Sequence, residues 1–202
     1  MKMKRWCSGR AMLLGLTATT WLATGVVAQE QAPEDSEGEI ARVSLGMASG
    51  NAGEVIVVPL YFTPTESVEV GRLELVITYV SVNLKFSKLD LATAAGAAGV
   101  DLHSGLKDIK NKDGTDSQVL NIVTSVSSSK PSQKGIPRGV LAYVTLQIST
   151  DARSASITLR GSGEVGELGS NQPLKKLKSF ETKVDVFGSG AQPLITCFFF
   201  TH

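Results

Sequence analysis

Histidine, the most common general base in enzymes, is scarce in this chain. The histidines are His103 and His202, and His103 lies in the polar segment Asp101-Leu102-His103-Ser104-Gly105. No cysteine, second histidine or serine-containing glycine elbow lies near it in the sequence, whereas nucleophilic catalysis needs a nucleophile held beside a base. The sequence therefore predicts that His103 is an exposed loop residue and that the protein is not an enzyme.

Oxygen-bearing side chains cluster in Asn111-Lys112-Asp113-Gly114-Thr115-Asp116, a composition that suits calcium. In the helix-loop-helix calcium pattern the glycine is sixth, so Ile109 would be first and Leu120 twelfth, and neither side chain can ligate calcium. Asp113-Gly114 fits a turn between two strands better, because both residues tolerate positive φ. The sequence predicts no metal site and no cofactor.

Aromatic side chains bear on a third chemistry, the stacking of sugar rings. Both tryptophans, Trp6 and Trp21, lie in an N-terminal segment that we expect to be removed, which leaves the tyrosines Tyr61, Tyr79 and Tyr143. Tyr79 is predicted to face inward, and one or two exposed tyrosines make a poor platform for a polysaccharide. Direct carbohydrate binding is therefore an alternative function, suggested by fold alone.

Residues 1–28 have the features of a signal peptide. An apolar stretch, Ala11 to Val27, follows a basic front, and Val26-Val27-Ala28 supplies the small residues that signal peptidase prefers. The basic residues are Lys2, Lys4, Arg5 and Arg10. Because the apolar stretch is shorter than the roughly 20 residues of a spanning helix, we predict a secreted or cell-surface protein with no transmembrane span.

Cleavage after Ala28 would change the composition of the chain. It would leave 174 of the 202 residues and, with four basic residues lost, would move the net charge from +1 to −3. A mildly acidic protein lacks the basic surface that binds nucleic acid, so that class of partner is excluded. Cys197 would also lose Cys7, its one possible intramolecular disulfide partner.

The mature chain divides into three predicted parts. Residues 29–38 are acidic and contain no large apolar side chain, which predicts a flexible linker. Residues 39–188 form the predicted globular domain, and residues 189–202 form an apolar tail. The tail, which contains Cys197 and Phe198-Phe199-Phe200, is either an added strand or a processing or attachment signal built around the cysteine.

Short runs of alternating apolar residues fill the globular part. In the run that ends at Tyr79, Leu73, Leu75, Ile77 and Tyr79 fall on one side of an extended chain, and Arg72, Glu74, Val76 and Thr78 fall on the other. In a later run the inward residues are Val140, Ala142, Val144, Leu146 and Ile148, with Leu141, Tyr143, Thr145 and Gln147 outward. Such runs, separated by turn signals, predict an all-β fold, a two-sheet antiparallel sandwich with jelly-roll topology and about nine strands.

The order of landmarks in these runs resembles that of a bacterial cohesin domain. A glycine turn, Gly50-Asn51-Ala52-Gly53, precedes a strand with Pro59 near its end; a strand from Gly71 to Tyr79 follows, and Gly139-Val140-Leu141-Ala142 comes late. The chain departs from the family at Val80-Ser81, where Asp-Pro is usual, and at Lys85, where glutamate is usual.

The resemblance implies a jelly roll that binds a dockerin, a small calcium-loaded helical module on a secreted partner protein. The calcium would be carried by the partner, and the link to extracellular polysaccharide degradation would be indirect. By the same resemblance one sheet face would contact the partner through Arg72, Glu74, Asn121, Val123, Leu141 and Tyr143. The alternatives are a carbohydrate-binding module of the same sandwich fold, with a polysaccharide as partner, and a structural or adhesive surface domain.

Overall fold

A computed structural model of the protein describes residues 40–126 and 134–188. The predicted signal peptide (residues 1–28), acidic linker (29–38) and apolar tail (189–202) lie outside the described residues.

The described residues form eleven strands and one short helix. In chain order these are β1 (Ala41–Leu45), β2 (Ala48–Asn51), β3 (Val55–Pro64), β4 (Val70–Val80), β5 (Leu84–Leu91), α1 (Thr93–Ala97), β6 (Val100–Lys110), β7 (Asp116–Val126), β8 (Gly139–Ile148), β9 (Ala155–Glu167), β10 (Lys175–Lys176) and β11 (Phe180–Phe187).

The strands make two sheets, which confirms the prediction of an all-β sandwich. The smaller sheet has the order β1-β3-β8-β5, and the larger has the order β2-β11-β9-β4-β7-β6, with β10 pairing to β9. Neighbouring strands pair antiparallel except β2 and β11, which pair parallel. The sequence predicted about nine strands, two fewer than the eleven observed. The difference corresponds to β2 and β10, which are only four and two residues long.

The core lies between the sheets, where apolar residues from alternate strand positions meet. The predicted inward residues of β4, namely Leu73, Leu75, Ile77 and Tyr79, are all buried. The smaller sheet contributes Val58, Leu60 and Phe62 of β3, which are fully buried. The period-two pattern therefore predicted correctly which residues of β4 face the core. A one-residue error would have placed every apolar side chain of the pattern on the solvent side.

Strand β8 departs from its predicted alternation. Ala142, Val144, Leu146 and Ile148 are buried as expected, but Val140 is half-buried and Leu141, predicted to face outward, is fully buried. Leu60 of β3 pairs with Ala142 and Tyr61 pairs with Val140, so Leu141 is an extra residue in a β-bulge. A bulge breaks strict alternation, and the prediction that Leu141 lies on an outer face is wrong.

The sequence prediction missed β6 and the second half of β9. His103 lies within β6, not in a loop, and β9, for which the apolar pattern predicts a strand only over residues 155–159, continues through three glycines to Glu167. A side chain at Gly161 would collide with the ring of Phe180, and one at Gly163 would collide with the backbone oxygen of Glu74. Glycine is normally depleted in strands. The glycines that permit this close packing therefore also prevented the second half of β9 from being predicted as a strand.

Candidate docking face

The outer face of the larger sheet is built from alternate residues of β4 and its neighbours. Arg72, Glu74, Val76 and Thr78 point away from the core, as predicted. Arg72 and Thr78 are exposed and Glu74 is half-buried. Because β4 lies between β9 and β7, these side chains are near the middle of the sheet.

Strand β7 completes the centre of this face. Val123 lies opposite Glu74, Asn121 lies opposite Val76, and Val119 lies opposite Thr78. Val119 and Val123 therefore lie diagonally across from Val76 on the same outer face, on either side of Asn121. We call Val76, Val119 and Val123 the outer valine cluster. Of the predicted partner contacts, Arg72, Glu74, Asn121 and Val123 share this face.

Charged side chains surround the outer valine cluster. Nη2 of Arg72 lies 2.6 Å from Oε1 of Glu74, so these two residues form an ion pair along one edge of the cluster. Glu164 of β9 lies opposite Glu74, and Arg160 of β9 lies opposite Thr78. Exposed ion pairs contribute little to stability, so these charges are better suited to orienting a partner than to holding the sheet together.

Strand β6 adds a row of polar residues that the sequence prediction missed. Asp101, His103, Gly105 and Lys107 lie on the outer face, opposite Ser125, Val123, Asn121 and Val119 of β7. The alternation of these polar residues with Leu102 and Leu106 was the available signal. It was weak because Ser104 interrupts the apolar side of the strand.

Tyr143 and Leu141 do not join this face. Both lie in β8, which belongs to the smaller sheet. Tyr143 is 39% exposed and pairs with Pro59, so it lies on the opposite outer surface of the sandwich, and Leu141 is buried. The six predicted contacts therefore do not lie on one surface: four share the outer face of the larger sheet, Tyr143 lies on the outer face of the smaller sheet, and Leu141 is buried.

The turn between β6 and β7 has the conformation expected of Asp113-Gly114. Gly114 has a φ of 83°, and the Asp113 carboxylate accepts hydrogen bonds from Oγ1 and the backbone N of Thr115 at 2.7 and 3.0 Å. These hydrogen bonds lower the pKa of Asp113. Within residues 40–126 and 134–188, no group of three or more His, Cys, Asp or Glu side chains is placed to hold a metal ion.

No helix in the described part of the chain is long and apolar enough to cross a membrane.

No protein-family model matches the sequence, and no curated protein matches it. Solved structures match the fold. A type I cohesin from Clostridium thermocellum, solved in complex with a dockerin, aligns over 74% of this chain and 100% of its own length, with 14% identity and a TM-score of 0.55. The domain has a cohesin-like fold.

Other cohesins give the same result. The cohesin module of a family 33 glycoside hydrolase from Clostridium perfringens aligns over 74% of this chain and 98% of its own, with 12% identity and a TM-score of 0.52. A cohesin of Acetivibrio cellulolyticus scaffoldin B, solved with a dockerin, covers 73% of this chain and 97% of its own, with 16% identity and a TM-score of 0.50. The likeness lies in the cohesin-like fold, at identities too low to carry individual residues across.

Proposed function

We propose that this cohesin-like domain is a non-catalytic interaction module that binds a dockerin-bearing protein through the outer face of β9, β4, β7 and β6. The observation that carries the proposal is the outer valine cluster, bordered by the Arg72–Glu74 ion pair and by charges of both signs. Apolar side chains at the centre of a contact exclude water, while charges at the rim set register and partner choice. The fold, shared with cohesins solved in complex with dockerins, supports the type of partner.

The calcium of such a complex would belong to the partner. A dockerin folds around its calcium, so binding and metal loading of the partner are thermodynamically linked. The predicted signal peptide supports an extracellular or cell-surface location for the encounter. A connection to polysaccharide breakdown would then arise through partner enzymes that carry a dockerin.

Binding of the full chain to dockerin-bearing proteins of the same genome, measured with and without chelator, tests the proposal. We expect binding that chelator abolishes. Val76→Lys puts a charge into the outer valine cluster and should weaken binding by at least about tenfold, because an unpaired charge would be buried in the contact. The matched control is Val57→Lys, since Val57 is also an exposed valine but lies on the other sheet. Equal affinities for the two variants would refute the docking face, and no binding to any dockerin would refute the function.

A second candidate function, contact with a polysaccharide, is favoured by one feature of the smaller sheet. Tyr61 of β3 and Tyr143 of β8 lie on the same outer face, each 39% exposed, with Pro59 paired to Tyr143. Aromatic faces of this kind stack on sugar rings, although two tyrosines make a small platform. We expect the chain to stay in the supernatant with cellulose, chitin or xylan. Co-sedimentation that Tyr143→Ala removes would favour carbohydrate binding over dockerin binding.

A further inference from the structure

Strand β6 is an open edge of the larger sheet. It runs for eleven residues and pairs on one side with β7, and no other described strand pairs with it. Its pairing with β7 is continuous from Val100 to Lys110, without the bulges or prolines that usually make an edge strand unsuitable for further pairing. The other side therefore presents a regular row of backbone donors and acceptors.

Strand β6 is also uncovered on its inward side. The larger sheet is wider than the smaller one, and from His103 to Lys110 every residue of β6 is exposed. Leu106, whose partner in β7 is the fully buried Leu120, is 42% exposed. Leu102 is half-buried on the same side. A strand that paired with this open edge could therefore bury its own apolar side chains against Leu102 and Leu106.

Two copies of β6 have complementary side chains when they pair antiparallel with Ser104 of one copy opposite Ser104 of the other. In that register Asp101 of one copy lies opposite Lys107 of the other, and Leu102 lies opposite Leu106. Each pair occurs twice by symmetry. Moving the centre to His103 or Gly105 separates both pairs, since Asp101 would then lie opposite Gly105 or Ile109.

The side chains suit the faces on which they would meet. Asp101 and Lys107 are on the outer, solvated face, where opposite charges across neighbouring strands stabilise pairing and like charges oppose it. Leu102 and Leu106 are on the inward side, where they would shield each other from water. His103 would face Gly105, which has no side chain to obstruct the imidazole.

We propose that two copies of this chain associate through antiparallel pairing of β6 with β6, centred on Ser104. The interface is isologous, because each copy supplies the same strand. The pairing joins the two larger sheets edge to edge and leaves the outer valine clusters of both copies on the continuous surface. If the docking face is as proposed above, the dimer is bivalent and its avidity for a partner carrying two binding modules rises without any new contact.

The oligomeric state of the full chain, measured by light scattering and sedimentation from micromolar to millimolar concentration, tests this proposal without any dockerin. We expect a monomer–dimer equilibrium. Asp101→Lys and Lys107→Asp should each raise the dimer dissociation constant by about tenfold, because each creates two like-charge pairs. The double variant should restore the original value. Lys88→Asp, at an exposed lysine on β5 of the other sheet, is the control and should leave the dimer unchanged.

A second measurement fixes the register. Ser104 lies opposite Ser104 of the other copy, so Ser104→Cys should form a disulfide-linked dimer under oxidising conditions, in a background with Cys7 and Cys197 replaced by serine. Lys107→Cys in the same background should not, because the two cysteines would lie far apart. A chain that stays monomeric throughout, or a dimer insensitive to both single charge reversals, would overturn the proposal. Neither outcome would affect the docking face, which is tested by dockerin binding.

Discussion

The phenolic hydroxyl of Tyr79 donates a 2.8 Å hydrogen bond to Oε1 of Gln118, and both side chains are buried. The same oxygen accepts a 2.9 Å hydrogen bond from the backbone N of Phe86, which belongs to the smaller sheet. Nε2 of Gln118 donates to the Asp108 carboxylate at 2.9 Å. Gln118 therefore links β4, β6 and β7 of the larger sheet to β5 of the smaller one.

Replacing Gln118 with leucine should be strongly destabilising. The change leaves the buried Tyr79 hydroxyl and the half-buried Phe86 backbone N without their acceptor, and a buried unsatisfied group costs about 1 to 3 kcal/mol. We expect a loss of about 2 to 5 kcal/mol in the free energy of unfolding, measured by urea denaturation. Asn121→Leu on the outward side of the same strand is the control and should change stability by less than about 0.5 kcal/mol. Similar losses in the two variants would contradict the bridging role of Gln118.

The same buried tyrosine predicts a loss of stability in alkali. Burial raises the pKa of Tyr79 above its ordinary value, so the folded state keeps the proton while the unfolded phenol loses it near pH 10. The unfolded state then binds fewer protons, and the stability falls as the pH rises above about 10. Urea denaturation at about pH 8 and about pH 11 should show a smaller alkaline loss in Tyr79→Phe than in the unchanged protein. Tyr61→Phe, at an exposed tyrosine, should leave the loss unaltered.

Leu141 should behave as a core residue. Leu141→Ala and Leu75→Ala each remove a fully buried side chain and should each cost about 2 to 5 kcal/mol. Thr78→Ala, on the outward side of β4, should cost less than about 1 kcal/mol. The free energies of unfolding of the three variants, measured by thermal or urea denaturation, provide the test. A small loss in Leu141→Ala would argue against the bulge that buries this residue.

Sequence periodicity predicted the parts of the fold in which one face of a strand is apolar and the other polar. Strand β4 is the best example, because Leu73, Leu75 and Ile77 alternate strictly with outward residues. Periodicity predicted β8 less well. The bulge at Leu141 arises from the pairing of β8 with β3, and the sequence of β8 alone does not contain that information. The glycines of β9 had the same effect, because the partners that demand them, Phe180 and Glu74, are distant in sequence.

The candidate site was predictable only in part for a related reason. The resemblance to cohesins implied Arg72, Glu74, Asn121 and Val123 as contacts, and the pairing of β4 with β7 brings these four residues onto one outer face. Tyr143 was assigned to the same face although strand order alone determines which sheet contains β8. Sequence patterns show which side of a strand faces out, and they do not show which sheet that strand joins.

The two surfaces of the sandwich give opposite expectations for partner binding. Glu74→Lys reverses one charge of the Arg72–Glu74 pair and should weaken dockerin binding, because it disturbs charge complementarity at the edge of the outer valine cluster. Tyr143→Ala, on the smaller sheet, should leave the affinity unchanged. Calorimetry with each variant, after circular dichroism has verified the fold, makes the comparison. If truncating Tyr143 instead costs about 2 kcal/mol, the size of an interface hot spot, while Glu74→Lys has no effect, the partner docks on the smaller sheet and the face proposed here is the wrong one.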